Sequence, residues 1–316
     1  MLAKNIQTVA GKRMLLHVQD NDPDASNWAQ KNKEEIDHFL SSDGALLVRG
    51  LKITGSEQFS AILTNLFGEE LVSYTYRSTP RTNLENNVYT ATEYHPSEVI
   101  PQHNENAYSS SWPMRIGFLC MTPAAVMGNT PISDSRVAYR EIPKEIRDEF
   151  ERKKIMYVRN YSNIDLPWTE VFQTDSKAEA EKYCRENNIE FEWTDSGLRT
   201  KQVNEAAMVH PLTKEKIWFN QAHLFHVSSL SEEVQEGLTA LLGEDNLPRN
   251  AYFGDGTPID VHALSVIRDI YERTQFFFQW EKNDLLLLDN MLFTHGRQPF
   301  EGPRQILVGM AREYRP

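Results

Sequence analysis

Cysteine is scarce in this chain: only Cys120 and Cys184 occur in 316 residues. Two thiols so far apart make neither a disulfide framework nor a zinc ribbon, and both read as ordinary intracellular thiols. Long basic runs are missing too. Acidic residues outnumber basic ones, 45 to 33, giving a formal net charge of −12 and a pI near 5.3. A nucleic-acid partner is therefore not expected, and a small or zwitterionic substrate suits the chain better. A local basic pocket stays compatible with that balance. No stretch approaches the roughly 20 apolar residues a membrane span requires. The opening Met1-Leu2-Ala3-Lys4-Asn5 runs into polar residues with no apolar signal core. The expectation is a cytoplasmic protein without a membrane partner. Repeats and low-complexity linkers are also lacking, so residues 1–316 are expected to form one domain. The sequence does not state its oligomeric state.

What is present is ample for a core: 40% hydrophobic residues, with 15 Phe, 12 Tyr and 6 Trp. Apolar spacing predicts helices over residues 27–40, 56–66, 141–153, 176–188, 231–242 and 258–273. Pro143 stands in the first turn of the third of these. Strands are expected at 45–49, 115–121, 274–280, 284–289 and 305–311, leaving a large insert over about 156–273. Residues 73–100 are polar, turn-rich and full of Tyr and Arg. That segment reads either as a lid over a site or as a surface connection.

Two short clusters carry the chemistry. Pro101-Gln102-His103-Asn104-Glu105-Asn106 contains a His-x-Glu, which in extended chain puts both side chains on one side. Taken alone it fits a hydrogen-bonded polar pair at a strand end better than a metal site. Far downstream, His295 follows the buried run Leu285–Leu288. Two imidazoles and one carboxylate can hold one face of a ferrous ion and leave the other face open. Nine residues beyond His295 stands Arg304. An arginine fork there, with the Thr130 hydroxyl beside it, would suit the far carboxylate of a dicarboxylic co-substrate. Arg312 rivals Arg304 for this role, and Arg297 could pair with Asp289 or with a loop.

At this point the chain resembles the taurine dioxygenase/clavaminate synthase branch of Fe(II)- and 2-oxoglutarate-dependent oxygenases. The resemblance covers residues 40–313. It rests on His103-Asn104-Glu105, Gly128-Asn129-Thr130-Pro131-Ile132-Ser133-Asp134, Trp218-Phe219-Asn220-Gln221, Leu288-Asp289-Asn290 through His295-Gly296-Arg297, and Pro299 to Arg304. The sub-branch it looks most like is the syringomycin-type aspartyl hydroxylase, where Glu replaces the more usual Asp. The resemblance implies a mainly β, double-stranded β-helix (jelly-roll) core with an outer layer of helices. It implies His103, Glu105 and His295 as catalytic iron ligands, and Thr130 and Arg304 as holders of 2-oxoglutarate. It implies Fe(II), 2-oxoglutarate and O2 as reactants, and hydroxylation of an unactivated C–H with release of succinate and CO2. The retained carboxylate argues against halogenation. Gly128-Asn129 replaces a more usual Gly-Gly, and Asn tolerates a left-handed turn.

The implied substrate is an amino acid or amino-acid-like small molecule, free or attached to a carrier protein. Arg77, Arg81, Gln102, Asn106 and Asn220 are candidates to contact it. Desaturation or cyclisation by the same cofactors is the nearest alternative. A cupin-like, non-oxygenase jelly roll binding a metal or ligand is the more distant one. His223 and His226 would share a helix face, but lack further ligands nearby and fit pocket packing better. His210 and His95 read as loop residues.

Overall fold

Leu285, Leu286, Leu287 and Leu288 lie at the centre of the main sheet, in the strand Leu285–Asp289, and every side chain is buried. Neighbouring side chains of a strand point to opposite faces, so an unbroken apolar run needs cover on both. The computed structural model, which describes residues 2–19, 24–73, 76, 78, 79, 81–92, 94–162, 164–195 and 197–316, shows that cover. Leu285 and Leu287 pack with Leu46, Val48 and Leu119 against Phe39, Phe59, Ile62 and Leu63 of the helices Ala25–Ser42 and Ser56–Phe67. Leu286 and Leu288 pack inward with Ile116, Phe118, Val308, Ile132 and Phe293.

The main sheet has eight strands, in the order Gln7–Val9, Lys12–His17, Ala45–Arg49, Leu285–Asp289, Trp112–Thr122, Gln305–Tyr314, Val88–Thr90 and Asn83–Glu85. Among the described residues, only the pairing of Lys12–His17 with Ala45–Arg49 is parallel. Across the inner core lies a three-stranded sheet, Ile100–His103, Phe293–Arg297 and Ile132–Asp134. The two sheets make the double-stranded β-helix. Close packing of the outer helices depends on two facing glycines. Gly117 and Gly309 are paired across adjacent strands. A Cβ on either would lie 2.4 or 2.6 Å from a methyl of Leu63.

The insert builds its own four-stranded sheet, Glu190–Thr194, Gly197–Asn204, Ile155–Tyr161 and Arg249–Phe253. Phe150, Tyr157, Trp218, Phe253 and Leu264 lie in its separate core.

Several expected elements differ. The helix over 141–153 is two helices, Ser135–Glu141 and Lys144–Lys153. Ile142 between them is extended, because the residue before a proline is pushed out of the helical region. Residues 274–280 form no strand: the helix Val261–Thr274 runs into this segment, and only Phe276 pairs, with Ile132. The strand Phe293–Arg297 was not expected at all. Part of the 73–100 segment is sheet, since Asn83–Glu85 and Val88–Thr90 extend the main sheet's edge. No helix among the described residues is long and apolar enough to cross a membrane.

Candidate active site

The three-stranded sheet brings the two clusters together. His103 ends the strand Ile100–His103 and stands opposite His295 in the register. Gly296 lets these strands approach, because a Cβ there would meet the Ile100 carbonyl at 2.5 Å. The imidazole ring centres of His103 and His295 are 4.4 Å apart. The His295 Nε2 lies 3.7 Å from Glu105 Oε2. One ligand atom from each of His103, Glu105 and His295 falls within 4.8 Å of the others.

Their charge states suit a metal. His103 Nδ1–H donates to the Pro101 carbonyl at 2.8 Å, which fixes the tautomer and leaves Nε2 as the lone-pair donor. Burial, reinforced by His295, pushes the His103 pKa down to about 3. The imidazole is therefore neutral, as a ligand must be. Burial alone would raise the Glu105 pKa, but Arg81 and the two imidazoles hold the carboxyl well below its ordinary range. Arg81 Nη2 donates to Glu105 Oε2 at 2.6 Å.

The cluster sits between two chambers, and His103 lines both. The inner one is small, about 30 Å³, and is lined by Thr130, Arg304, Arg81, Phe118 and His295 among others. Arg304 Nε donates to the Gly128 carbonyl at 2.8 Å. Burial, aided by Arg297, pushes the Arg304 pKa down to about 10, so this desolvated cation favours an anion beside it. The Thr130 hydroxyl oxygen accepts from Trp280 Nε1 at 3.1 Å and Arg304 Nη2 at 3.4 Å. Its own proton is left free to donate. The outer chamber is about 490 Å³, within the range of small-molecule sites. Val234 and Leu238 of the helix Glu232–Leu242 form part of its wall, and that helix has no fully buried residue.

The remaining sequence candidates scatter. Arg312 bonds Asp37 and the Phe67 carbonyl beneath the outer helices, away from both chambers. Arg297 is spent on the carbonyls of Thr92, Tyr94, His95 and Glu98, so its partner is the loop and not Asp289. Arg81 is engaged with Glu105 instead of facing the outer chamber, and Arg77 lies outside the described residues. The Gln102 side chain meets Thr294 and Gln275. Asn106 adopts a positive φ of 57° and accepts from the Tyr108 hydroxyl. Asn220 is buried, bonded to the Ala206 carbonyl and the Ala222 N–H. The residue that faces the outer chamber is its neighbour Gln221. His223 packs on Tyr271, and its Nε2 donates to the Gln102 carbonyl. At the Gly128-Asn129 turn the left-handed residues are Met127 and Gly128, so Asn129 needs no special tolerance.

A polar scaffold behind the site escaped the sequence reading. The buried Asp289 carboxylate bonds Arg115, His210, and the N–H groups of Met291 and Leu292. His210 lies in the loop after the strand Ala207–Val209, as expected, yet it is fully buried. Asn290 grips the main chain of Glu105. An Asp-Asn pair at the end of a buried strand was the available signal, since both side chains bond nearby backbone. Cys120 and Cys184 are free and buried, and burial raises each thiol to about 12.

A jelly roll with two imidazoles and a carboxylate converging between its chambers has the architecture and donor set of a non-haem iron oxygenase. Comparison with known proteins fixes the family. The model of the taurine catabolism dioxygenase TauD, TfdA family matches residues 9–311, and the chain belongs to that family of Fe(II)- and 2-oxoglutarate-dependent dioxygenases. It is 43% identical over 277 residues to the dapdiamide synthesis protein DdaC of Enterobacter agglomerans, covering 87% of this chain and 84% of that one. A clavaminate synthase-like protein of Arabidopsis thaliana is 29% identical over 294 residues, covering 89% and 85%. Among solved structures, an asparagine oxygenase with Fe(II), 3-hydroxyasparagine and succinate shares the fold with a TM-score of 0.58 at 11% identity, covering 95% and 93%. The isonitrile-pathway oxygenase PvcB aligns at 0.55 and 13%, covering 95% and 86%. Family membership sets aside the cupin-like, non-oxygenase alternative.

Proposed function

We propose that this dioxygenase hydroxylates an unactivated C–H of an amino acid or amino-acid-like small molecule, with His103, Glu105 and His295 holding the iron. The observation that carries the reading is the placement of these three ligand atoms, within 4.8 Å of one another, between an inner cationic chamber and an outer one. The relative named for dapdiamide synthesis and the asparagine oxygenase neighbour support the substrate class.

The residues have distinct tasks. His103 offers a neutral nitrogen and His295 its Nε2, and Glu105 offers a carboxylate that stays ionised at any ordinary pH. Arg304 and the Thr130 hydroxyl clamp the distal carboxylate of 2-oxoglutarate in the inner chamber. Phe118 packs against His295, 5.0 Å between ring centres, and helps keep water from the reacting side. Iron and 2-oxoglutarate, when bound, supply the oxidising power: one O2 oxygen enters succinate as CO2 leaves, and the other enters the substrate. The protein contributes position, dryness and charge. The substrate lies in the outer chamber, on the far side of His103 from the co-substrate.

An anaerobic titration with Fe(II) and then 2-oxoglutarate tests this. The wild type develops the weak visible charge-transfer band of the chelate, and His295→Ala does not. A folded, iron-loaded wild type without the band sinks the reading. Product mass then gives the reaction type: one added oxygen is hydroxylation, and loss of two hydrogens is desaturation or ring closure.

A further inference from the structure

The outer chamber has one permanent cation among the described residues that line it, Arg249. Its mounting is unusual for a residue that merely supports a loop. Nε and Nη2 form a fork onto the two oxygens of Asp165, with Nη2 at 2.7 Å. Nη2 also donates to the Ser78 carbonyl at 2.7 Å. The guanidinium carbon lies 5.7 Å from the centre of the Phe225 ring. Those contacts fix the plane of the group. The other amino group, Nη1, makes no hydrogen bond among the described residues, although an arginine has five N–H donors to place.

Gln221 lines the same chamber. Its Nε2 donates to the Asn104 carbonyl at 2.6 Å, next to Glu105, and its N–H donates to the Tyr157 hydroxyl oxygen at 2.8 Å. Its side-chain oxygen carries no hydrogen bond among the described residues. A held amide thus presents an acceptor on the wall that also bears Glu105. Asp165 places a negative charge directly beside Arg249. The rest of the wall includes Leu224, Phe225, Leu230, Val234 and Leu238.

We infer that Arg249, Asp165 and Gln221 form the head-group site of the substrate, and that the head group is a free carboxylate with an adjacent ammonium. The proposal rests on the oxygenase reading above and narrows it. With Nε and Nη2 held by Asp165, the guanidinium still presents Nη1 to a second carboxylate, in an already charge-paired setting that recognises the anion without trapping it. The ammonium finds acceptors in the Gln221 oxygen and the Asp165 carboxylate. The apolar wall takes the substrate's side chain. A molecule whose carboxyl is esterified or thioesterified to a carrier lacks the anion that Arg249 is mounted to meet. The site therefore selects the free amino acid over the tethered one.

The test uses the iron- and 2-oxoglutarate-loaded protein and a panel of the common free L-amino acids with their C-terminal primary amides. The readouts are the shift of the chelate band on substrate binding and the release of succinate. In the wild type, at least one free acid shifts the band and its amide binds about 10-fold or more weaker, as losing a charged hydrogen bond requires. Arg249→Met abolishes that preference, raises the KM for the acid, and leaves the chelate band and the KM for 2-oxoglutarate unchanged. Asp165→Asn raises the amino-acid KM with a smaller change in kcat. Should Arg249→Met fail to fold, Arg249→Lys keeps the charge but loses the fork, and shows the same loss of preference in smaller degree. Amides binding as well as acids, a preference that survives Arg249→Met, or no response to any free amino acid overturns the proposal. Absence of the chelate band itself is a different failure, that of the oxygenase reading.

Discussion

Asn290 holds both main-chain polar groups of Glu105. Its Oδ1 accepts from the Glu105 N–H at 2.7 Å, and its Nδ2 donates to the Glu105 carbonyl at 2.9 Å. Asn104 returns the contact by donating to the Asn290 carbonyl at 2.6 Å. A carboxylate from one cluster is thereby set against the turn that leads to His295. Replacing Asn290 with Ala removes the side-chain partner of three buried main-chain groups, the Glu105 N–H and carbonyl and the Pro113 carbonyl, and each one left unpaired costs about 1–3 kcal/mol. Asn290→Ala is expected to unfold at a lower urea concentration and to bind iron about 10- to 100-fold more weakly. A metal titration returning the wild-type affinity would remove the positioning role.

Arg304 and Thr130 are expected to act on the co-substrate and on nothing else. Arg304→Met removes a charged hydrogen-bond donor, a loss of about 1.5–3 kcal/mol, or roughly 10- to 100-fold in affinity. The KM for 2-oxoglutarate rises by that factor while Fe(II) affinity stays as it was. Thr130→Val gives a smaller rise. Equal effects on iron and on 2-oxoglutarate would mean that the pair supports the fold instead.

Acid stability should report on His223. Burial, and then Arg268, push its pKa down to about 4, below the ordinary 6.5 of the unfolded chain. Above pH 6.5 both states are neutral, and the stability is fully present. Between about 6.5 and 4 the unfolded chain takes up a proton that the folded one refuses, so stability falls with falling pH. His223→Gln should flatten that dependence by up to about 1.4 kcal/mol per pH unit. Urea unfolding series from pH 7 to pH 4 measure it, and parallel slopes for the two proteins would rule it out.

The paired glycines of the main sheet give a packing test. Gly117→Ala drives a methyl into Leu63, and overpacking of this kind costs about 1–3 kcal/mol. The melting temperature should drop. Adding Leu63→Ala to Gly117→Ala should cost less than the sum of the single changes, because the small residue admits the methyl. Additive losses would show that the strain lies elsewhere.

Much of the fold was legible where local chemistry decides it. Leu285–Leu288 announced a strand buried on both faces, and Gly68 marks the end of its helix with a φ of 74°. Legibility failed where distant partners decide. Phe293-Thr294-His295-Gly296-Arg297 does not read as a strand, with a glycine and three polar side chains in five residues. It is one because Ile100–His103 and Ile132–Asp134 flank it. The triplet His103, Glu105 and His295, which the fold brings together, could be picked out because few residue types make an iron face. Its polar neighbours could not be assigned: Asn220 and Gln221 differ by one position, and only the turn of chain at 220–222 decides which faces the chamber. His210 is in a loop, but its burial against Asp289 was not legible, because nothing near it in sequence hints at that partner.

His103 and His295 face each other across one pair of strands, yet one comes from the first third of the chain and the other from close to its end. During synthesis, almost the whole polypeptide has to emerge before the second imidazole exists. Until then a growing chain exposes only a His-x-Glu pair, too few donors to retain ferrous ion firmly. An unfinished chain thus offers reactive iron no seat beside exposed, oxidisable side chains. With His103, Glu105 and His295 as the proposed ligands, completion of the fold and competence to take up the metal become a single event on the ribosome's timetable.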